Sequence, residues 1–271
     1  MNKNDLPPVS VLFVTYKRLE LLRRSVEHFL KNTDYPNLEL IIADDGSGPE
    51  IQAQIRQLPA DVFALMPNNR GLGANNNNGL RHCKGKYILM IQDDCICYGP
   101  PDYLRNTIAV MEANPKVGII NYYGSPHSID KSRALPGSDQ PCYLFSEPFV
   151  DGLKEHYFYT DQPHVMSRAA LERVGYYLEC QDLERSEEDY CRRWRDQEEF
   201  STAMFPAYYN KLFMHEGAEH SFRTTRFRYK VDAALMPIAT FSKRHCKPLY
   251  KAGRKTVRTV VTAMERLRIV R

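Results

Sequence analysis

The sequence predicts an α/β fold built on a largely parallel sheet, and two observations support this class. First, predominantly apolar runs recur along the chain, as in Val9–Thr15, Leu38–Ala43 and Tyr87–Ile91. A strand buried on both faces gives such a run, which is typical of a parallel sheet covered by helices. Second, helical patterns separate these runs, which is the order of βαβ units.

The first half of the chain supports this class element by element. A helical pattern follows the first strand, breaks at Asn32–Pro36 and leads into the second strand. We then expect a short helix over Ile51–Leu58 and a strand over Val62–Met66. After the Tyr87 strand, apolar spacing predicts a helix over Pro100–Asn114 and a strand over Val117–Asn121.

The second half of the chain is less regular. Ser125–Pro148 is rich in Pro, Ser and Gly and predicts a long loop. Beyond it we expect a strand over Tyr157–Met166 and a helix over Ser167–Gly175. A helix over Asp189–Asp196 and a last strand region over Ala203–Met214 complete the prediction.

The composition is that of a soluble globular protein, with 43% apolar and 26% charged residues among 271. We expect no signal peptide, because Met1–Pro8 has no apolar core, and no run approaches the roughly 20 apolar residues of a membrane span. The seven cysteines show no zinc spacing. We therefore expect reduced thiols and a cytoplasmic location.

The formal net charge of +4 is distributed unevenly along the chain. Lys243–Arg271 contains ten Lys or Arg residues and a single acid, Glu265, so the rest of the chain is net acidic. A nucleic-acid-binding protein more often carries its positive charge on the folded body. We therefore expect no nucleic-acid partner.

The basic segment also has the pattern of an amphipathic helix. From Arg254 onward, apolar residues recur at helical spacing along one side; they are Val257, Val260, Val261, Met264, Leu267 and Val270. The cations of this stretch lie mostly off that stripe; they are Arg254, Lys255, Arg258, Arg266, Arg268 and Arg271. This pattern is typical of a helix at the interface of an anionic membrane. The alternative is a helix that packs on the acidic body of the protein or on a second subunit.

Two strands of the predicted sheet end in paired carboxylates. Asp44-Asp45 follows the second strand, and Gln92-Asp93-Asp94 follows the Tyr87 strand. Ligands bind at the carboxyl ends of strands in open α/β sheets, and a divalent cation carrying a diphosphate would compensate these charges. The alternative is a solvated Asp-Asp turn.

An Asn- and Gly-rich tract over Pro67–Gly79 precedes the Tyr87 strand. It lacks the dinucleotide pattern G-x-G-x-x-G, because Asn76 occupies the position of the last glycine. A helix entered from this loop could present backbone N–H groups and Arg70 to phosphate. The alternative is a low-complexity loop without a ligand.

Six motifs, in this order, resemble family 2 glycosyltransferases of the GT-A fold over about residues 9–222. They are VSVLFVTYKR at 9–18, ADDGS at 43–47, NNRGLGANNNNGL at 68–80, GKYILMIQDD at 85–94, EED at 187–189 and MHEGAEHS at 214–221. The resemblance implies one Rossmann-like mixed sheet flanked by helices. Residues 9–121 would form the nucleotide-sugar half and residues 122–242 the acceptor half, with the basic helical tail at 243–271.

The resemblance also implies which residues bind the nucleotide-sugar donor. They are Thr15, Tyr16, Asp44, Asp45, Asn69, Arg70, Asn77, Gln92 and Asp93. Among them, Thr15 and Tyr16 would lie near the base, and Asp45 would bind it. One residue departs from the family pattern: Gln92 stands where the signature usually begins with Asp. Gln92 can still bind a ribose hydroxyl, but it brings no charge.

For the chemistry, the resemblance implies an inverting transferase that uses Mn²⁺ or Mg²⁺. Asp94 and His215 would bind the metal, with His220 as the second choice for the histidine. Asp189 would act as the general base that takes the acceptor's proton, with Glu188 beside it. Alternatively, Glu187–Asp189 is an ordinary acidic start of a helix.

The expected partners are a nucleotide-diphosphate sugar, with UDP-sugars favoured over dTDP-sugars, and a saccharide or lipid-linked acceptor. A lipid-linked acceptor would suit a peripheral enzyme on the inner membrane face.

Two other functions compete with this one. A sugar-phosphate nucleotidyltransferase would carry a Gly-rich loop after the first strand, and this chain has none there. A non-catalytic carbohydrate-binding protein of this fold would show neither hydrolysis nor transfer.

Overall fold

A mixed sheet of eight strands forms the centre of the computed structural model, which describes residues 6–122, 131–145, 159–208 and 211–216. All of these residues belong to one compact unit that ends at Glu216. The ten strands are β1 (Val9–Thr15), β2 (Leu38–Asp44), β3 (Val62–Leu65), β4 (Tyr87–Gln92), β5 (Cys95–Cys97), β6 (Val117–Asn121), β7 (Tyr143–Leu144), β8 (His164–Ser167), β9 (Ser201–Met204) and β10 (Phe213–His215). The large sheet has the order β3-β2-β1-β4-β8-β6-β9-β7, and β5 pairs with β10 in a small second sheet.

Six helices accompany the strands in the described part of the chain. They are α1 (Leu19–Lys31), α2 (Pro49–Ile55), α3 (Leu72–Leu80), α4 (Tyr103–Ala113), α5 (Arg168–Val174) and α6 (Leu183–Asp196). Buried side chains of α1, α2 and α4 form one core, and those of α3, α5 and α6 form another. Neighbouring residues of β1 divide between the two cores, with Phe13 in the first and Leu12 in the second. The sheet is thus buried on both faces, as the apolar runs predicted.

The first half of the sheet is parallel, and its register aligns three strand ends. β1 pairs with β2 on one side and with β4 on the other, so that Thr15 lies opposite Asp44 and Val14 opposite Gln92. The carboxyl ends of β1, β2 and β4 therefore meet at one edge. The paired carboxylates of the sequence follow β2 and β4 at that edge.

The second half makes the sheet mixed, as predicted. β8 runs antiparallel between β4 and β6, β9 is parallel to β6, and β7 is antiparallel to β9. Because β8 is antiparallel to β4, the residues before His164 lie at the edge where β4 ends.

Three expectations for the second half were wrong in detail. α6 begins at Leu183 instead of residue 189, because Asp182 caps it by accepting a hydrogen bond from the Arg185 N–H at 3.1 Å. The last strand region is two strands, β9 and β10, with a turn that contains Pro206 between them. In the stretch expected as a strand up to Met166, regular pairing begins only at His164.

Other expectations fall outside the described residues. They are the boundary at residue 242, the basic segment 243–271, His220 and parts of the loop region 125–148. In the described part of the chain, no helix combines the length and the apolar character needed to cross a membrane.

Candidate functional site

Asp93 and Asp94 lie at the sheet edge, immediately after β4. Both are almost completely buried, with exposed fractions of 0% and 3%. The Thr15 hydroxyl donates a hydrogen bond of 2.7 Å to Asp93 Oδ2, and thus joins the end of β1 to this carboxylate. Burial raises the pKa of Asp93 to about 7, although Arg18 and Thr15 favour its charged form. Two adjacent buried carboxylates require a positive partner.

Arg18 is that partner, and it contacts both carboxylates. Its Nη2 lies 2.5 Å from Asp93 Oδ1, its Nε donates to Asp93 Oδ2 at 3.2 Å, and its Nη1 donates to Asp94 Oδ2 at 2.7 Å. Burial opposes the charge of Arg18, but the two carboxylates outweigh it and raise the arginine's pKa. Arg18 was not among the residues predicted to form the site. The signal available was a cation directly after β1, at the same edge as the Asp pair.

His215 reaches the same site from the far end of the described chain. The pairing of β10 with β5 sets His215 opposite Cys95, and its Nε2 lies 3.4 Å from Asp94 Oδ2. The Glu216 N–H donates to the Asp94 carbonyl at 2.7 Å and fixes the end of β10. The structure therefore brings together the two residues predicted as metal ligands.

The donor set at this point suits a hard divalent cation. Ligands at roughly 2.0–2.2 Å from a metal stand about 3 Å apart when adjacent, which is close to the 3.4 Å between Asp94 Oδ2 and His215 Nε2. No cluster of three His, Cys, Asp or Glu side chains suited to an ion occurs within the described ranges. Further ligands would then be water or diphosphate oxygens, the usual arrangement for Mg²⁺.

Asp44 and Asp45 fix the loops at the neighbouring strand end. Asp44 accepts hydrogen bonds from the Ser47 N–H and from Gln52 Nε2, both at 2.8 Å, and from the Ser47 hydroxyl. Asp45 accepts hydrogen bonds from Asn69 Nδ2 at 2.8 Å and from the backbone N–H groups of Arg70 and Gly71. Burial raises the pKa of Asp45, although these N–H groups oppose the shift.

Gly46, which follows Asp45, allows the loops after β2 and β3 to meet. Its φ is +76°, in the left-handed region, and a Cβ there would lie 2.4 Å from the Asn68 carbonyl carbon. Any other residue would push the two loops apart. The predicted contacts of Asp45 with a base and of Asn69 with the nucleotide and diphosphate would occur where these two loops meet.

The Asn-rich tract forms α3, and its amides connect backbone segments. Asn75 donates to the carbonyls of Thr15 and Ala43 at 3.1 and 3.2 Å, and so links the ends of β1 and β2. Asn77 donates to the Tyr177 carbonyl and accepts from the Tyr177 N–H. Both asparagines are buried, so the tract is a structural connection and not a low-complexity loop.

Arg70 lies at the start of this tract and is largely exposed. Its Nη2 pairs with Glu179 Oε2 at 2.8 Å, and Asn77 Nδ2 donates to the other carboxylate oxygen at 3.0 Å. The nucleotide contacts assigned to Arg70 and Asn77 stay predictions. Tyr16 and Gln92, also assigned to the donor, are partly exposed at the ends of β1 and β4.

The acidic residues of α6 differ in their surroundings. Asp189 forms ion pairs with Arg192 and, at 2.8 Å, with Arg193 of its own helix. Burial tends to raise the pKa of Asp189, but the two arginines outweigh it and lower the pKa. Arg193 in turn donates to the carbonyls of Val174 and Tyr176, so this face of α6 is directed to the end of α5.

Glu187 occupies a different environment from Asp189. It is 8% exposed, and its Oε1 accepts a hydrogen bond of 3.3 Å from the Asp161 N–H. The next residue, Gln162, has its Oε1 3.7 Å from Cys95 Sγ, which places this loop beside the residues that follow Asp94. Glu188 is exposed. Glu188 and Asp189 were the residues predicted from the sequence. Of the three acids, Glu187 is the one that contacts the loop of Asp161 and Gln162 at the site edge.

Comparison with known proteins identifies relatives of the chain. Residues 10–175 match the family described as glycosyl transferase family 2. The Bacillus subtilis protein EpsH is 29% identical over 156 residues, which cover 55% of this chain and 44% of EpsH. The GalNAc(5)-diNAcBac-PP-undecaprenol beta-1,3-glucosyltransferase of Campylobacter jejuni is 29% identical over 94 residues, 33% of this chain and 30% of that protein. The chain thus spans less than half the length of these relatives.

The fold also has solved counterparts. The mannosyltransferase PcManGT from Pyrobaculum calidifontis, solved in complex with GDP-Man and Mn²⁺, superposes with a TM-score of 0.51 at 19% identity. The match covers 76% of this chain and 56% of that enzyme. The GT-A fold class predicted from the sequence motifs is therefore confirmed.

Proposed function

Since this chain belongs to glycosyl transferase family 2, we propose that it transfers a sugar from a nucleotide-diphosphate sugar to a hydroxyl of a glycan or lipid-linked saccharide, with inversion at the anomeric carbon. One observation carries this proposal. Asp94 and His215, more than one hundred residues apart in sequence, meet at the edge where β1, β2 and β4 end. That edge is where α/β sheets bind nucleotides.

The leaving group of this reaction is a nucleoside diphosphate, whose developing charge needs stabilisation. A bound divalent cation, Mn²⁺ or Mg²⁺, would supply that stabilisation as a Lewis acid. Asp94 Oδ2 and His215 Nε2 would hold it, and the buried Asp93 beside them supports the charge. The Mn²⁺ and GDP-Man in the structure of PcManGT agree with a site of this kind.

Sugar transfer also needs a carboxylate that takes the proton of the acceptor hydroxyl. The sequence resemblance assigns this role to Asp189 with Glu188. Asp189 would first have to break its ion pairs with Arg192 and Arg193, and the positive charges of these residues make it a weaker base. Glu187 lies against the loop beside the site and has a better position. We therefore propose the base within Glu187–Asp189 and favour Glu187.

A panel of nucleotide sugars tests the proposed function. The full chain is mixed with UDP-, GDP- and dTDP-sugars in the presence of Mn²⁺, and thermal shift, hydrolysis and transfer are measured. We expect one nucleotide class to raise the melting temperature and to be hydrolysed slowly, and we favour UDP. Binding without hydrolysis or transfer to any saccharide would instead support a carbohydrate-binding protein. Formation of a nucleotide sugar from UTP and a sugar 1-phosphate would support a nucleotidyltransferase.

We further propose that residues 243–271 attach the enzyme to the inner surface of a membrane. The support comes from the sequence alone: the segment contains ten Lys or Arg residues, and an apolar helical stripe runs through it from residue 254 onward. Each cation near an anionic leaflet contributes about 1 kcal/mol, and the apolar stripe adds to this. A surface location would bring the site close to a lipid-linked acceptor.

Co-sedimentation with liposomes tests this attachment. We expect the full chain to sediment with anionic liposomes and a truncation after Ser242 to stay in solution. Zwitterionic liposomes are the control, and they should bind much less of the full chain because they lack the charge that attracts Lys and Arg. If both proteins partition equally, the segment is structural and does not anchor the protein.

A further inference from the structure

Arg18 is held in its position by an unusual turn between β1 and α1. Among the described residues, Lys17 is the one non-glycine residue with a positive φ, which is +58°. This left-handed conformation is unfavourable for a non-glycine residue, and it persists where the surroundings impose it. The Lys17 N–H donates to Ser47 Oγ at 2.7 Å, which fixes the turn to the loop after β2.

The position of Arg18 is unfavourable without the two carboxylates. Arg18 is the N-cap residue of α1, and the positive end of the helix dipole repels a cation there. The three contacts with Asp93 and Asp94 offset this repulsion and neutralise part of the buried negative charge. The same contacts hold both carboxylate groups in fixed orientations.

Asp94 Oδ2 is the atom for which Arg18 and a metal would compete. It accepts the Nη1 hydrogen bond of Arg18 at 2.7 Å and lies 3.4 Å from His215 Nε2. A divalent cation held by this oxygen and the imidazole would stand next to the guanidinium, and the two positive charges would repel each other. The phosphates of a nucleoside diphosphate would remove this conflict, because they attract both cations.

We propose that Arg18 is a built-in counter-cation of Asp93 and Asp94, which opposes the binding of a divalent cation alone and moves from Asp94 to the phosphates when a nucleoside diphosphate enters with the metal. This inference rests on the proposed function. It makes metal and diphosphate binding cooperative, and by linkage each ligand increases the affinity for the other by the same factor. Arg18 is a positioning residue in this scheme.

Binding of Mn²⁺ to the full chain, measured from the electron paramagnetic resonance signal of free Mn²⁺, tests the proposal. Without nucleotide, we expect Arg18→Gln to bind Mn²⁺ at least about 10-fold more tightly than the wild type, equivalent to about 1.4 kcal/mol. With UDP or GDP present, we expect the increase in Mn²⁺ affinity caused by the nucleotide to be smaller in Arg18→Gln than in the wild type. A purely structural role would not produce tighter metal binding.

Two further variants make the test specific. Arg18→Lys keeps the positive charge and should bind Mn²⁺ alone as weakly as the wild type, which also provides a reading if Arg18→Gln fails to fold. Arg23→Gln removes a partly exposed arginine of the same helix, which lies 3.8 Å from Glu20, and should change nothing. Circular dichroism establishes that each variant is folded.

Several outcomes would overturn the proposal. Arg18→Gln could bind Mn²⁺ alone no more tightly than the wild type, or the effect of nucleotide could be unchanged. A wild type that binds Mn²⁺ neither alone nor with nucleotide would overturn both the metal assignment and the role of Arg18. In contrast, tighter Mn²⁺ binding by Arg18→Gln in a protein that transfers no sugar would support the role of Arg18 and refute the transferase.

Discussion

Asp94→Asn is expected to reduce metal-dependent nucleotide binding at least about 100-fold, because a lost ligand should cost more than the 10- to 100-fold of a residue that only supports a ligand. Asp94 Oδ2 is the oxygen on which the imidazole of His215 and the guanidinium of Arg18 converge. The amide keeps the shape of the side chain and removes its charge. Calorimetry with UDP or GDP and Mn²⁺ measures the effect.

A matched variant separates this effect from a general loss of carboxylate charge. Asp34→Asn makes the same chemical change at a largely exposed position, where Asp34 pairs with Arg105 at 3.1 Å. It should bind nucleotide and Mn²⁺ like the wild type. Undiminished heat of binding from Asp94→Asn, in a protein folded by circular dichroism, would show that Asp94 is not a metal ligand.

The second large effect is expected from the general base. Glu187→Gln should bind the donor normally and lose transfer by roughly 10²–10⁴-fold, the usual contribution of a general base. Glu187 is buried against the Asp161 N–H, and glutamine can still accept that hydrogen bond. The loss should therefore fall on kcat, with the donor affinity and the fold retained.

The other two acids of α6 provide the comparison. We expect Glu188→Gln to be nearly neutral, because Glu188 is exposed. We expect Asp189→Asn to lower the stability of the protein more than its rate of transfer, since Asp189 pairs with Arg192 and Arg193. If Asp189→Asn abolishes transfer while Glu187→Gln remains active, the original assignment to Asp189 is correct. Transfer rates at saturating donor, together with thermal unfolding, decide between them.

Four strands, β1, β2, β4 and β6, were the most predictable part of the fold. The predicted bounds of β1 and β6 agree with the structure, and β2 and β4 each extend one residue beyond their predicted ends. A strand between two helical layers has no polar face, so its sequence is a continuous apolar run with clear limits. The same runs predicted the sheet edge correctly, because their ends coincide with the Asp pairs.

Other parts of the site depend on contacts that apolar patterns do not reveal. Arg18 and Asp93 are 75 residues apart, and nothing local in the sequence pairs them. Asn75 is polar and yet buried in α3, so polarity alone did not separate the expected helix from the alternative of a low-complexity loop. In contrast, the pairing of Asp189 with Arg193 was readable from the four-residue spacing of a helix, and it bears directly on the choice of base.

The pairing of β5 with β10 has a consequence for the synthesis of the protein. β5 ends at Cys97, whereas its partner begins at Phe213, so more than one hundred residues must be made before this pair can form. On the ribosome, the parallel strands β1, β2 and β4 are complete long before His215 emerges. A nascent chain therefore carries Asp93 and Asp94 without the imidazole while more than one hundred further residues are added. In that interval Arg18, already synthesised, is the cation available to them.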